Sequence, residues 1–415
     1  MMRRWLGLRV DPKLEARFSN AITRRDFEVA EALGYELLAQ HPRHMRARKR
    51  LAGILYRQGR MDEAHDLIAV GIGPTLTSAI ASTVGQLRAD LGAVDGASGR
   101  WRYLTRGMSA VCAIEYPDAS VNGMRFITKV VNPRSPNTTR EIDFYTRLTL
   151  SSTRLRRLAP RLLDYRRVQG SRLAMLTLEM IDGRRPSVLD VARVREAWLD
   201  LGRASDDLAP AGIGISRSRW RDEARRVSLG RLRDTVLYTE TFCWLHTRRA
   251  GLDLFGTLLR RLRKKRAPER AIVAARRLEE YWTDLQVHAR VQPRLHYAFI
   301  HGDFHEANLI VDATNGECRV VDWESASWGP PGLDMSGFAA GLYRFEFEHL
   351  ERDVLRRLSA GAELPRALQS PLAPSLLVVM LLARWLGQGS VERLDATFDR
   401  TVEPALAWIL RQGLA

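Results

Sequence analysis

Through roughly the first hundred residues, apolar positions recur at the three- and four-residue spacing of buried helix faces, one helix after another. The polar run Asp95-Gly96-Ala97-Ser98-Gly99 then reads as a linker and a domain boundary. Beyond it, β-branched and aromatic runs at 103–104, 111–116 and 125–131 alternate with turn residues, Gly107 in the first gap and Asn122-Gly123 in the second. A helix is predicted over 138–150, and strands over 162–168 and 173–180, the latter ending before Asp182-Gly183. From about residue 190 the pattern is mainly helical, broken by short strands at 298–300, 309–311 and 320–321. The expected class is α+β in three parts: a helical region over 1–94, a small antiparallel β lobe over 100–183 and a large helical lobe over 184–415. The longest apolar run, 376–383, is far short of the ~20 residues that span a bilayer and predicts a buried helix.

Two helical segments repeat at a fixed offset of 34 residues, Phe27 with Met61 and Ala30 with Ala64. Pro42 closes the first unit and Gly59 turns the second. Segment 14–75 resembles about two tetratricopeptide repeats, in which a small alanine lets antiparallel helices approach closely, and 76–93 is expected to cap the stack. The resemblance implies either a docking surface for a protein partner or a brace for the next domain.

Composition narrows the partners only slightly. Sixty-five basic against 48 acidic residues give a formal net charge of +17, which favours anionic ligands such as nucleotides, or an acidic membrane face. Nothing resembles a nucleic-acid-binding module, and nucleic acid is not expected as a partner. The three cysteines, Cys112, Cys243 and Cys318, are widely spaced and lack metal-ligand spacing, so they read as reduced thiols of a cytoplasmic protein. The N-terminal residues are basic and carry no apolar stretch long enough for a signal peptide.

The chemistry concentrates in His301-Gly302-Asp303-Phe304-His305-Glu306-Ala307-Asn308, followed by Asp322-Trp323-Glu324. An Asp followed five residues later by Asn sets a base and a metal ligand on one loop, and a second Asp after a short hairpin supplies another ligand. Phosphoryl transfer asks for that set: a carboxylate to take the acceptor's proton and oxygen ligands for magnesium. The pattern resembles that of the aminoglycoside phosphotransferase and choline kinase superfamily. It implies a two-lobed, protein-kinase-like fold, with ATP and Mg2+ required, Asp303 as catalytic base, and Asn308 and Asp322 as magnesium ligands. His301 and His305 would organise the loop. Gly329-Pro330-Pro331-Gly332-Leu333-Asp334 resembles the family's continuation, in which the Asp braces that loop.

The same resemblance assigns the nucleotide side. Lys129 on the strand 125–131 would contact the ATP phosphates, with Glu141 on the next helix holding it. Gly107 and Ser109 would offer backbone donors over the phosphates, and the adenine would bond the backbone near Met180. The acceptor is expected to be a small molecule, sugar or glycan bearing a hydroxyl. Trp323, Trp328, Tyr343, Phe345 and Phe347 could form an aromatic cage for a cation, although such spacing more often marks a core. The basic run 258–266 predicts a helix with one apolar stripe, a solvated face or a contact for an anionic membrane surface. A different class of function, a weakly catalytic kinase-like scaffold that recruits a partner through its repeats, is the alternative.

Overall fold

The computed structural model describes residues 11–42, 44–95, 102–104, 111–208, 254–291, 298–329, 332–341, 346–359, 364–365, 368–369, 371–388 and 391–412. The chain divides into two compact units: Met1–Ile142 with Arg161–Met180, and Asp143–Pro160 with Ile181–Ala415.

The first unit begins with five helices, α1 (Pro12–Arg24), α2 (Phe27–Gln40), α3 (Met45–Arg57), α4 (Met61–Ile72) and α5 (Pro74–Asp90). Local chemistry sets their ends. The Asp11 carboxylate accepts the Lys13 N–H, and Pro12 starts α1 with its φ already helical. Arg25 stops that helix in the left-handed region, and Asp26 caps α2 through the Val29 N–H. Gly59 takes φ +79° between α3 and α4. The paired alanines of the repeat, Ala30 and Ala64, are both fully buried, as close helix approach requires.

A six-stranded antiparallel sheet follows in the same unit. Its strands are β1 (Val94–Asp95), β2 (Arg102–Leu104), β3 (Cys112–Val121), β4 (Met124–Val131), β5 (Leu162–Arg167) and β6 (Ala174–Glu179). The order is β1-β3-β4-β6-β5, with β2 also pairing β3. Asn122 and Gly123, at φ +51° and +76°, form the two-residue hairpin turn between β3 and β4, the conformation for which Asn-Gly is suited. Helix α6 (Pro136–Asp143) then begins, with Glu141 in its last turn.

The polar linker reads as a boundary, yet the helices and the sheet share one core. Ala52, Leu55, Ala64, Ile68, Ile80 and Val84 pack in a single cluster with Tyr103, Ile114, Tyr116, Phe126, Val130 and Met175. One face of β4 is therefore covered by this cluster; on the other, Ile142 packs against Val131 at the strand's end while Ile127 and Lys129 stay half-buried.

The second unit is mainly helical. Leu376 through Ala383 are all buried inside the helix Ala373–Gln388, as the apolar run predicts. In the basic helix Leu254–Lys264, Phe255, Leu258 and Leu262 are buried while Arg260, Arg263 and Lys264 are exposed. Two small sheets, held by three strand pairings, carry the loops of interest. These are β7 (Gly183–Arg184), which pairs with β9 (Leu309–Asp312), β9 with β10 (Cys318–Val320), and β8 (Ala298–Ile300) with β11 (Ser327–Gly329). Among the described residues, no single helix is long and apolar enough to cross a membrane.

Candidate active site

The loop 301–308 leaves β8 and returns as β9, so both ends are pinned by strands. Gly302 takes φ +82°, and a Cβ there would lie 2.4 Å from the Ser325 carbonyl oxygen; only glycine satisfies both conditions. The Asp334 carboxylate accepts the N–H of His301 at 2.7 Å and that of Gly302 at 2.8 Å. It braces the loop as the motif implies. Burial pushes Asp334 up to about 7, against the lowering effect of those two N–H bonds.

His301 is fully buried, and its contacts fix its tautomer. Nδ1 accepts the Asp303 N–H at 3.3 Å, so the ring proton sits on Nε2 and is donated to the Val321 carbonyl at 3.0 Å. Burial lowers its pKa, despite the nearby carboxylates of Asp303 and Asp322, and the imidazole stays neutral. Its role is to tie the Asp303 loop to the segment that carries Asp322.

Asp303 follows at once, its side chain 38% exposed. Its Oδ2 lies 3.4 Å from His305 Nε2 and accepts the Asn308 Nδ2–H at 3.1 Å. Partial burial would raise its pKa, but the hydrogen bonds from His305 and Asn308 and the neighbouring imidazoles outweigh that and hold the carboxyl below its ordinary range. The group stays ionised. Asp303 in turn raises His305, although His305 Nδ1 accepts the Ala307 N–H at 3.1 Å, a contact that a second ring proton would break. Sequence reasoning gives His305 a role in the loop's shape and misses this direct contact with the carboxylate.

Asn308 is buried, and its Nδ2 also donates to the Asp303 carbonyl at 3.0 Å. With the amide nitrogen committed to Asp303, the planar group turns Oδ1, the atom a magnesium ion needs, to the opposite side. The Val321 N–H donates to the Asn308 carbonyl at 2.9 Å, which ties the two candidate ligand segments together. Asp322 takes left-handed backbone, φ +68° and ψ +61°, and opens the turn Trp323–Ser325. Such a backbone costs a non-glycine residue ~1–2 kcal/mol and persists where surroundings enforce it.

The residue that follows, Trp323, is anchored in an aromatic stack. The Trp323 ring is fully buried, donates Nε1–H to the Val320 carbonyl at 2.8 Å, and lies 3.9 Å from Phe144 at an interplanar angle of 9°. Phe299 extends the stack at 6.3 Å, and His301 meets the Trp323 ring edge-on at 4.9 Å. Trp323 and Phe347 are thus core residues and no cage; Tyr343 and Phe345 lie outside the described residues. Phe144, at the start of a π-helical turn over Phe144–Leu148, is a supporting residue the sequence reading missed, because its pattern gives an unbroken helix over 138–150.

In the first unit, Lys129 Nζ and Glu141 Oε1 pair at 2.6 Å, with side chains only 17% and 3% exposed. The expected strand-lysine and helix-glutamate pair is present. Gly107 and Ser109 lie outside the described residues. Met180 sits one residue past β6, and its N–H already donates to the Arg125 carbonyl at 2.8 Å. Among the described residues, no group of three or more His, Cys, Asp or Glu side chains could hold a metal alone. One Asn and one Asp suit an ion that keeps waters and phosphate oxygens in its shell, as magnesium does. Cys112 and Cys318 are free, buried thiols pushed up to about 12 by burial, and have no part in this chemistry; Cys243 lies outside the described residues.

A family model described as phosphotransferase enzyme family (APH) matches residues 100–370, and a tetratricopeptide-repeat model matches 21–87. Among solved structures, a thermostable mutant of the aminoglycoside phosphotransferase APH(4)-Ia, in ternary complex with ADP and hygromycin B, is 18% identical. It covers 80% of this chain and 99% of its own, with a TM-score of 0.40. A microcompartment-associated aminopropanol kinase is also 18% identical over 80% of this chain and 99% of its own, at a TM-score of 0.40. An ethanolamine kinase of Plasmodium vivax is 13% identical over 75% of this chain and 81% of its own, at 0.36. Among curated proteins no relative matches the chain.

Proposed function

Because the chain belongs to the phosphotransferase enzyme family, we propose that it is an ATP- and magnesium-dependent phosphotransferase acting on a hydroxyl of a small molecule, a sugar or a glycan. The observation that carries this reading is the Asp303 carboxylate, held ionised between His305 and Asn308 on a loop pinned by Asp334.

In this reading Asp303 orients the acceptor hydroxyl and takes its proton as the oxygen bonds to the γ-phosphorus of ATP. The bond from that phosphorus to the bridging oxygen breaks, and ADP leaves with the electron pair. Asn308 and Asp322 would hold magnesium, which, when bound, neutralises charge on the phosphates. Lys129, fixed by Glu141, would meet the phosphates, with Gly107 and Ser109 above them. The Met180 segment would meet the adenine; since the Met180 N–H is taken by Arg125, the bond would run to another backbone group there.

The test is thermal melting of the full chain with and without magnesium-ATP, followed by acceptor screening with ATP radiolabelled at the γ-phosphate. A ligand that binds only the native state raises apparent stability once it exceeds its dissociation constant, so a magnesium-dependent rise is expected. No shift at millimolar nucleotide would overturn the reading in favour of the scaffold alternative.

A further inference from the structure

The face of the sheet opposite Lys129 is occupied by the helical repeats. Along β4, Phe126, Thr128 and Val130 are fully buried, and Phe126 and Val130 belong to the cluster shared with α3, α4 and α5. Alternation along a strand puts Lys129 on the other face, where it meets Glu141. The cross-strand register is continuous: Tyr103 pairs with Ile114, Ile114 with Thr128, and Thr128 with Thr177. The adjacent row is Leu104, Ala113, Lys129 and Leu176. Whatever fixes the first row fixes the second.

The first row is gripped from the repeats at Tyr103. The Tyr56 hydroxyl on α3 donates to the Tyr103 carbonyl, and the His65 ring on α4 stacks on the Tyr103 ring at 4.8 Å. Tyr103 is itself fully buried. Tyr116, two residues along β3 from Ile114, places Oη 3.1 Å from Thr128 Oγ1, and within the row Thr128 Oγ1 and Thr177 Oγ1 lie 2.9 Å apart. Two more contacts join α5 to the far side of the sheet, Thr83 Oγ1 accepting the Gln169 N–H at 3.2 Å and Asp90 pairing with Arg166 at 2.8 Å.

We infer that the repeats are a positioning brace for the phosphate-contacting lysine, with Tyr56 and His65 as the residues that set its strand register. The faces of α3, α4 and α5 that meet the sheet are spent on it. This inference rests on the phosphotransferase reading for the role of Lys129, but the contacts that carry it do not.

The test compares Tyr56→Phe and His65→Ala with Leu51→Val in the full chain. Leu51 lies in the separate helix cluster, away from Tyr103, and its truncation lowers stability without touching the sheet. Acetic anhydride labelling of Lys129, read by mass spectrometry as a ratio to the exposed Lys13, reports the lysine directly. Loss of one intramolecular hydrogen bond predicts a rise in the Lys129 ratio of roughly three- to tenfold for Tyr56→Phe. His65→Ala should act alike, His65→Phe should restore the parent ratio, and Leu51→Val should leave it unchanged. An equal rise in Leu51→Val, or none in Tyr56→Phe and His65→Ala, overturns the brace. If magnesium-ATP shifts no variant's melting and not the parent's, the phosphotransferase reading fails, while the labelling ratios still decide the brace.

Discussion

Replacing Gly302 with alanine should displace the loop 301–308, and the structure sets the size of the effect. At φ +82° an L-residue pays ~1–2 kcal/mol for left-handed backbone. The new Cβ would sit 2.4 Å from the Ser325 carbonyl oxygen and 3.1 Å from its carbon, and forcing atoms into packed surroundings costs ~1–3 kcal/mol. Neither neighbour can yield cheaply. Moving Gly302 breaks its 2.8 Å bond to Asp334, and moving Ser325 disturbs the turn that begins with Trp323. A loss of roughly 2–5 kcal/mol is expected from urea titration, with faster hydrogen exchange confined to peptides spanning 298–311. Asp303 is the next residue, and a 1 Å misplacement of a reacting group costs on the order of 10²-fold, so turnover should fall with stability. A variant within about 0.5 kcal/mol of the parent, with parent-like exchange over 298–311, would refute the argument.

Asp303→Asn should lower turnover by at least about 10²-fold, the low end for a general base, while calorimetry finds magnesium-ATP affinity nearly unchanged; parent-like turnover would remove Asp303 from the role of base. Asp322→Ala should weaken nucleotide binding in magnesium and have far less effect without it; equal affinity in the parent and this variant under magnesium would exclude the ligand role. Asp334 binds its proton more tightly folded than unfolded, about 7 against an ordinary 3.8. Its contribution is therefore complete below about pH 4 and declines as pH rises through 7, at up to ~1.4 kcal/mol per pH unit. Denaturation at pH 5 and pH 8 should show the parent losing stability relative to Asp334→Asn as pH rises, and a pH-independent difference between the two would contradict this.

Much of the site is legible in the sequence because it is local. His301, Asp303, Asn308 and Asp322 fall within two short runs, and the strands flanking them are apolar enough to be read directly. The pairing of Lys129 with Glu141 is legible from strand-then-helix order. The repeat is legible in Ala30 and Ala64, because close packing demands a small residue at a fixed interval. What sequence hides is contact at a distance. Phe144 reads as one more apolar helix position, and nothing local says that it stacks on Trp323, 179 residues later. A polar stretch at 95–99 signals a linker whether or not the helices before it share a core with the strands after it. Asp322 gives no sign of its left-handed backbone, and the stack that anchors its neighbour Trp323 is assembled from three separate segments.

The strand order of the sheet has a consequence for biosynthesis. β6 lies between β4 and β5 yet is the last of the six to be made. On the ribosome the chain completes β4 at residue 131 and reaches β6 only at residue 174, so at ~5–20 residues per second the edge of β4 stays unpaired for roughly two to nine seconds. Its run Phe126-Ile127-Thr128-Lys129-Val130-Val131 is the kind of segment that recruits a neighbouring chain when left open. Helices α1 to α5 have by then already been synthesised and can cover one of its faces, but not its edge. Nascent chains stalled between these two strands should be the ones most dependent on chaperones.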